Sequence, residues 1–123
     1  MSPTLLDGVT REMRLWREES FGPVKAIIRV HSEEEALAVA NDSEYGLSAA
    51  VYSRDSARAW NVAQRLHTGI CHINGPTVHD EAQMPFGGCK ASGYGRFGGR
   101  AGIAEFTELR WITIQTQPRE LPF

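Results

Sequence analysis

Residues 24–40 read Val-Lys-Ala-Ile-Ile-Arg-Val-His-Ser-Glu-Glu-Glu-Ala-Leu-Ala-Val-Ala, and this stretch decides the fold. Its first seven residues are mostly apolar and rich in β-branched side chains, which is typical of a strand buried on both faces of a parallel sheet. Ser32 and Glu35 then form a capping box that begins a helix. The buried stripe of that helix is expected at Ala36, Leu37 and Ala40. A strand followed at once by a helix indicates a βαβ unit.

The same alternation continues on both sides of this stretch. Residues 47–52 predict a second strand, Asp55 caps a second helix, and residues 70–74 predict a third strand. Gly69 is expected to end the second helix in a left-handed conformation. Residues 5–9 favour a further short strand or extended segment. The order of elements predicts an α/β fold with a parallel sheet and right-handed crossovers.

Composition excludes several classes of protein. The chain has 123 residues, a net charge of -2 and 41% hydrophobic residues, as in an ordinary globular unit. No basic run is interleaved with aromatics, so neither nucleic acid nor a membrane surface is expected as a partner. No apolar run reaches the length of a bilayer span, and the N-terminus does not resemble a secretory signal. These features predict a cytoplasmic protein.

Residues 18–24, Glu-Glu-Ser-Phe-Gly-Pro-Val, are the first candidate site. The Gly-Pro pair stops a preceding helix, so Glu19 and Phe21 should project from a fixed turn beside the strand that follows. A carboxylate and an aromatic two residues apart suit a flat ligand that carries hydroxyl groups. The alternative is that Glu19 is solvated or paired with an arginine and that Phe21 is a core residue.

A glycine-rich stretch from residue 75 to residue 99 is the second candidate site, because long loops that hold aromatics and prolines often bind ligands or form interfaces. Residues 93–98 formally match the GxGxxG pattern. That pattern needs a preceding apolar strand, whereas Lys-Ala-Ser precedes it here, so we reject a dinucleotide loop. A short helix over 100–106 and a last strand over 109–115 are predicted to follow.

Three segments, in the same order, resemble the aldehyde dehydrogenase family. They are residues 3–9, Pro-Thr-Leu-Leu-Asp-Gly-Val; residues 18–24; and residues 85–96, Pro-Phe-Gly-Gly-Cys-Lys-Ala-Ser-Gly-Tyr-Gly-Arg. Residues 94–103 and the tail look most like bacterial enzymes that act on aromatic aldehydes of the salicylaldehyde, vanillin and benzaldehyde type. The resemblance implies oxidation of an aldehyde to the carboxylic acid with NAD or NADP through a cysteine thioester.

The resemblance also implies a division of the chain. Residues 1–107 would be the C-terminal part of the catalytic domain, and residues 108–123 an oligomerisation strand and tail that pairs copies of the protein into a homo-oligomer. The family pattern pairs an arginine with a glutamate before the last strand, which implies an ion pair between Arg96 and Glu108.

Roles for individual side chains follow from the same resemblance. Glu19 would accept hydrogen bonds from the nicotinamide ribose, and Phe21 would pack near the nicotinamide ring. Phe86 would line the aldehyde pocket, with residues 75–84 as its variable rim. Without the resemblance, Phe86 would be an ordinary core residue in an irregular loop.

No catalytic residue and no metal site are predicted within the chain. The family's nucleophile and general base precede the Glu-Glu-x-Phe-Gly-Pro turn, and neither Cys71 in a predicted strand nor Cys89 in the glycine-rich stretch fits that position. The two cysteines also lack the spacing of a disulfide framework or a zinc site. The four histidines show no ligand spacing; they are His31, His67, His72 and His79.

The isolated chain is therefore expected to be inactive. Two other interpretations stay open. One is a free-standing, non-catalytic interaction module that keeps the oligomerisation surface, and the other is an enzyme that uses Cys71 or Cys89 in a new way.

Overall fold

The computed structural model describes residues 2–120 and residue 122. Strands and helices alternate along the chain, as the sequence predicts. In order they are β1 Thr4–Asp7, α1 Arg14–Arg17, β2 Val24–Ile27, α2 Glu33–Asn41, β3 Tyr45–Gly46, β4 Ser48–Val51, α3 Ser56–Ala63, β5 Ile70–Ile73, β6 Cys89–Lys90 and α4 Gly99–Glu105. The α/β class is confirmed. No helix among the described residues has the length and apolar character that crossing a membrane would need.

The strands pair in three separate ladders rather than in one continuous sheet. β1 runs parallel to β2, β4 runs parallel to β5, and β3 pairs with β6 in the antiparallel sense. The β4–α3–β5 unit is the predicted parallel crossover. Among the described residues, β2 hydrogen-bonds only to β1, so the three predicted strands are divided between two parallel pairs.

Both longer helices begin at side-chain caps. The Ser32 hydroxyl accepts a hydrogen bond from the Glu35 N–H at 3.1 Å, and the Glu35 carboxylate accepts one from the His31 N–H at 2.7 Å. Asp55 accepts from the Arg58 N–H at 3.0 Å at the start of α3. The predicted helix starts are confirmed, because these oxygens satisfy N–H groups that the first turn of a helix leaves free.

The core of the described chain is small. Its buried apolar side chains are Val9, Leu37 and Ala59, with Leu37 5% exposed and Ala59 1% exposed. Ala40 was expected beside Leu37 but is exposed, because α2 is covered along a narrow stripe. The accessible surface is 10534 Å², whereas a compact monomer of this mass exposes about 6,600 Å². Most apolar side chains therefore keep surface free for contacts outside this chain.

Gly69 follows α3 for a reason different from the predicted one. Its φ is not among the positive values of the described residues. A Cβ at this position would lie 1.9 Å from the carbonyl oxygen of Gly87. The position needs glycine because another backbone passes against it, not because the helix ends in the left-handed region.

The last predicted strand is not formed. Residues 107–116 have no strand assignment, and their large apolar side chains are exposed, Leu109 at 104% and Trp111 at 91%. A strand exists only where a neighbouring edge accepts its hydrogen bonds, and no strand of the described residues pairs with this segment. The short helix predicted before it is confirmed as α4.

Candidate functional site

A cleft of about 320 Å³ lies between β5 and the glycine-rich stretch. Its lining comes from residues 69–72, 79–81 and 84–86. This volume lies within the range of small-molecule sites. The stretch from 75 to 84, predicted as a rim, thus contributes four of its residues to the cleft: His79, Asp80, Glu81 and Met84.

The apolar wall of the cleft is held by a backbone bridge. The Phe86 N–H donates to the Phe97 carbonyl at 2.9 Å, and the Phe97 N–H donates to the Phe86 carbonyl at 2.7 Å. The half-buried ring of Phe86 lies beside Met84 and Pro85 on this wall. Phe86 is the one predicted site residue that the structure places on the cleft.

The polar wall was missed by sequence reasoning. His79 Nε2 lies 3.2 Å from Glu81 Oε1, and the Gln83 side-chain amide donates to Glu81 Oε2 at 2.5 Å. The rings of His72 and His79 meet edge to face with centroids 5.4 Å apart. His72 Nε2 is buried and has no hydrogen-bond partner among the described residues. The sequence signal is the run His-Asp-Glu at 79–81.

The two thiols have different surroundings. Cys71 lines the cleft and is half-buried, and this burial raises the pKa of its thiol. A raised pKa keeps the sulfur protonated and a poor nucleophile. The Cys89 thiol donates to the His67 carbonyl oxygen at 3.2 Å and does not line the cleft. Among the described residues, no three His, Cys, Asp or Glu side chains converge as ligands for a metal ion.

The carboxylate pair at 18–19 lies on an exposed loop away from the cleft lining. Arg14 binds Glu18 through two hydrogen bonds of 2.8 and 2.7 Å, and the pKa of the Glu18 carboxyl is lowered mainly by this bonding. Within the described part of the chain, the Glu19 carboxylate makes no hydrogen bond or ion pair. Phe21 is 97% exposed, so its alternative as a core residue is wrong for this chain. The structure does not bring Glu19 and Phe21 together with Phe86.

Arg96 stabilises the glycine-rich stretch by hydrogen bonds to backbone carbonyls of the same stretch. Its guanidinium donates to the carbonyl oxygens of Gly88 and Gly95, each at 2.7 Å. The ion pair expected between Arg96 and Glu108 is not formed in the described residues. Glu108 lies in the exposed segment after α4, while the two carbonyls are close to Arg96 in the loop.

The sequence of this chain is similar to those of known proteins. Residues 1–112 match the profile described as the aldehyde dehydrogenase family. The vanillin dehydrogenase of Pseudomonas sp. (strain HR199 / DSM 7063) is 67% identical over 99% of this chain and 25% of its own length. The chain spans about a quarter of the length of the relatives it matches.

Solved structures of aldehyde dehydrogenases superpose on this chain. A salicylaldehyde dehydrogenase from Pseudomonas putida G7, complexed with salicylaldehyde, superposes with a TM-score of 0.91 and 52% identity over 97% of this chain and 25% of that one. A Mycobacterium tuberculosis aldehyde dehydrogenase complexed with NAD+ gives a TM-score of 0.81 and 42% identity over 86% of this chain and 22% of that one.

Proposed function

The chain belongs to the aldehyde dehydrogenase family, and on that premise we propose that it forms the aldehyde pocket wall and the nicotinamide-facing loop of an enzyme that oxidises an aromatic aldehyde. The observation that carries the proposal is the cleft, in which Phe86, Met84 and Pro85 offer a flat apolar wall to an aromatic ring. The vanillin and salicylaldehyde dehydrogenases among its relatives support an aromatic substrate.

The exposed loop at 18–24 fits a nicotinamide dinucleotide. Glu18 is occupied by Arg14, which leaves the Glu19 carboxylate to accept hydrogen bonds from ribose hydroxyls, and the exposed Phe21 offers a flat apolar face to the nicotinamide ring. When bound, NAD or NADP supplies the hydride acceptor. The part of these residues is to orient the cofactor, which reduces the entropy cost of reaching the reactive geometry.

Phe86 has a different part in the proposed reaction. Its half-buried ring packs against the substrate ring and excludes water from one side of the cleft. The thiolate that forms the thioester and the general base are assigned to residues outside these 123, because Cys71 is held protonated and Cys89 is directed at a backbone carbonyl.

A segment exchange tests the proposal. The homologous segment of the Pseudomonas vanillin dehydrogenase is replaced by this chain, and formation of the reduced cofactor is measured with vanillin, salicylaldehyde and benzaldehyde. We expect the chimera to oxidise at least one of them, and Glu19→Gln and Phe86→Ala in the chimera to lower kcat/KM by about tenfold or more. A folded chimera without turnover of any aromatic aldehyde refutes the proposal.

The second candidate, a free-standing interaction module, is supported by the exposed apolar segment at 107–116. The mass of the native polypeptide that contains this segment separates the two candidates. A species several times heavier than 13.6 kDa supports the enzyme. A species of that mass, without aldehyde turnover, supports the module, whereas turnover that Cys71→Ser with Cys89→Ser abolishes would show a new use of a cysteine.

A further inference from the structure

The imidazole of His79 is oriented by a carboxylate that is itself held in place. Glu81 Oε1 lies 3.2 Å from His79 Nε2, while Glu81 Oε2 accepts the hydrogen bond from Gln83. An ionised carboxylate only accepts hydrogen bonds, so Nε2 carries a proton. In the neutral ring, Nδ1 is then the acceptor that remains for a ligand.

The plane of the His79 ring is fixed from a second direction. The His72 ring meets it at 86° with centroids 5.4 Å apart, and His72 comes from β5, whose backbone is paired with β4. A ring held by a strand residue and by a carboxylate loses little further freedom when it binds a ligand. The His79 side chain is 53% exposed, and its contacts with Glu81 and His72 restrict the orientation of the ring.

The apolar wall selects what can reach this acceptor. Met84, Pro85 and Phe86 present apolar surface in the same cleft of about 320 Å³. A ligand that satisfies both walls has an aromatic body and a hydroxyl group on the ring. A phenol O–H is a good hydrogen-bond donor, which is the complement of a neutral imidazole nitrogen.

We propose that His79 determines specificity for phenolic aldehydes by accepting a hydrogen bond from the ring hydroxyl, and that Glu81 is a positioning residue for His79. This inference rests on the proposed function and gives it a substrate class. In the 3- and 4-hydroxy isomers the hydroxyl is not adjacent to the reacting carbonyl, so the hydrogen bond is made equally in the ground state and in the transition state. Its loss is expected in KM and in kcat/KM rather than in kcat.

The test uses the chimeric dehydrogenase with benzaldehyde and the 2-, 3- and 4-hydroxybenzaldehydes as probes. His79→Phe keeps a ring and removes both nitrogens. We expect kcat/KM for at least one hydroxy isomer to fall about tenfold, while the value for benzaldehyde changes by less than about twofold. Glu81→Gln should raise KM for the same isomer and leave kcat unchanged.

His31→Phe is the matched control, because His31 is exposed and lies outside the cleft lining. This variant should leave the kinetic constants for all four substrates unchanged. An equal loss for benzaldehyde and the hydroxy isomers would show a structural role and overturn the inference. Unchanged constants for all four would overturn it as well. A parent chimera that is inactive with every aldehyde would refute the proposed function and this inference with it, whereas an active parent with a non-selective His79→Phe refutes the inference alone.

Discussion

Glu18 and Glu19 are neighbours in the chain but have different surroundings. The two hydrogen bonds from Arg14 lie on Glu18, four residues along the short helix and the turn that ends it. At the residue scale, the spacing of four residues pairs Glu18 with Arg14, and the Glu19 carboxylate therefore stays available to a ligand. The two cysteines also differ in their surroundings. Cys71 is half-buried on the cleft, whereas the Cys89 thiol donates a hydrogen bond to a backbone carbonyl.

The Cys71 thiol should react with iodoacetamide only at higher pH than a free thiol. Burial raises the pKa of this group in the folded chain. The folded state therefore holds the proton more tightly, and the stability this contributes is present below the ordinary thiol pKa and lost as the pH rises through the raised one. The alkylation rate of a Cys89→Ser variant is followed against pH by intact mass. A rate that saturates at or below the pH found for a cysteine peptide would contradict the prediction.

Replacement of Gly69 by alanine should unfold the region around the cleft. The added Cβ would lie 1.9 Å from Gly87 O, which is backbone and cannot turn away, so the expected cost exceeds about 3 kcal/mol. Thermal unfolding of the chimera is the measurement. Gly75→Ala is the matched control, since its nearest neighbour would be 3.6 Å away. Equal melting temperatures for the two variants would refute the packing argument.

At the scale of elements, ion pairs connect residues of the two longer helices and of the turn after α3. Arg58 Nε lies 2.7 Å from Glu33 Oε2, and Arg65 binds Glu34; these pairs are exposed and each contributes little to stability. Lys90, in a left-handed conformation with φ of 56°, donates from its amine to the carbonyls of Asn41 and Ser43 at the end of α2. Such bonds satisfy carbonyls that a helix end leaves free.

Ser32→Ala should weaken the first turn of α2 by about 1 kcal/mol, because the Glu35 N–H loses its acceptor. Hydrogen exchange of the α2 amides in the chimera is expected to accelerate about fivefold. Ser2→Ala, an exposed serine outside any helix, serves as the control and should leave these rates unchanged. Unchanged exchange in the Ser32 variant would show that the cap does not limit opening of this helix.

At the scale of the whole molecule, the accessible surface is larger than that of a compact monomer. The chain exposes 10534 Å² where about 6,600 Å² suits a compact monomer of its mass. Residues 107–116 carry four exposed large apolar side chains, Leu109, Trp111, Ile112 and Ile114. A segment with unpaired backbone groups and apolar side chains is a template for pairing with another strand.

The isolated chain is therefore expected to self-associate at micromolar concentration through residues 109–115. Ile114→Glu places a charge on the 84% exposed side chain of this segment and should shift the sedimentation profile towards the monomer. Gln115→Glu adds the same charge at a neighbouring polar position and should have a smaller effect. A parent chain that sediments as a monomer would contradict pairing through this segment.

The sequence by itself determined the order of strands and helices, the helix starts at Ser32 and Asp55, and the family, because periodicity, caps and contiguous motifs are local properties. The tertiary structure alone decided the rest. It placed Lys90 against the end of α2, Arg96 on the loop carbonyls instead of Glu108, and His79 on the cleft, since each depends on which distant backbone comes near. It also left residues 107–116 unpaired, because β-branched and apolar residues favour a strand while only a neighbouring edge forms one.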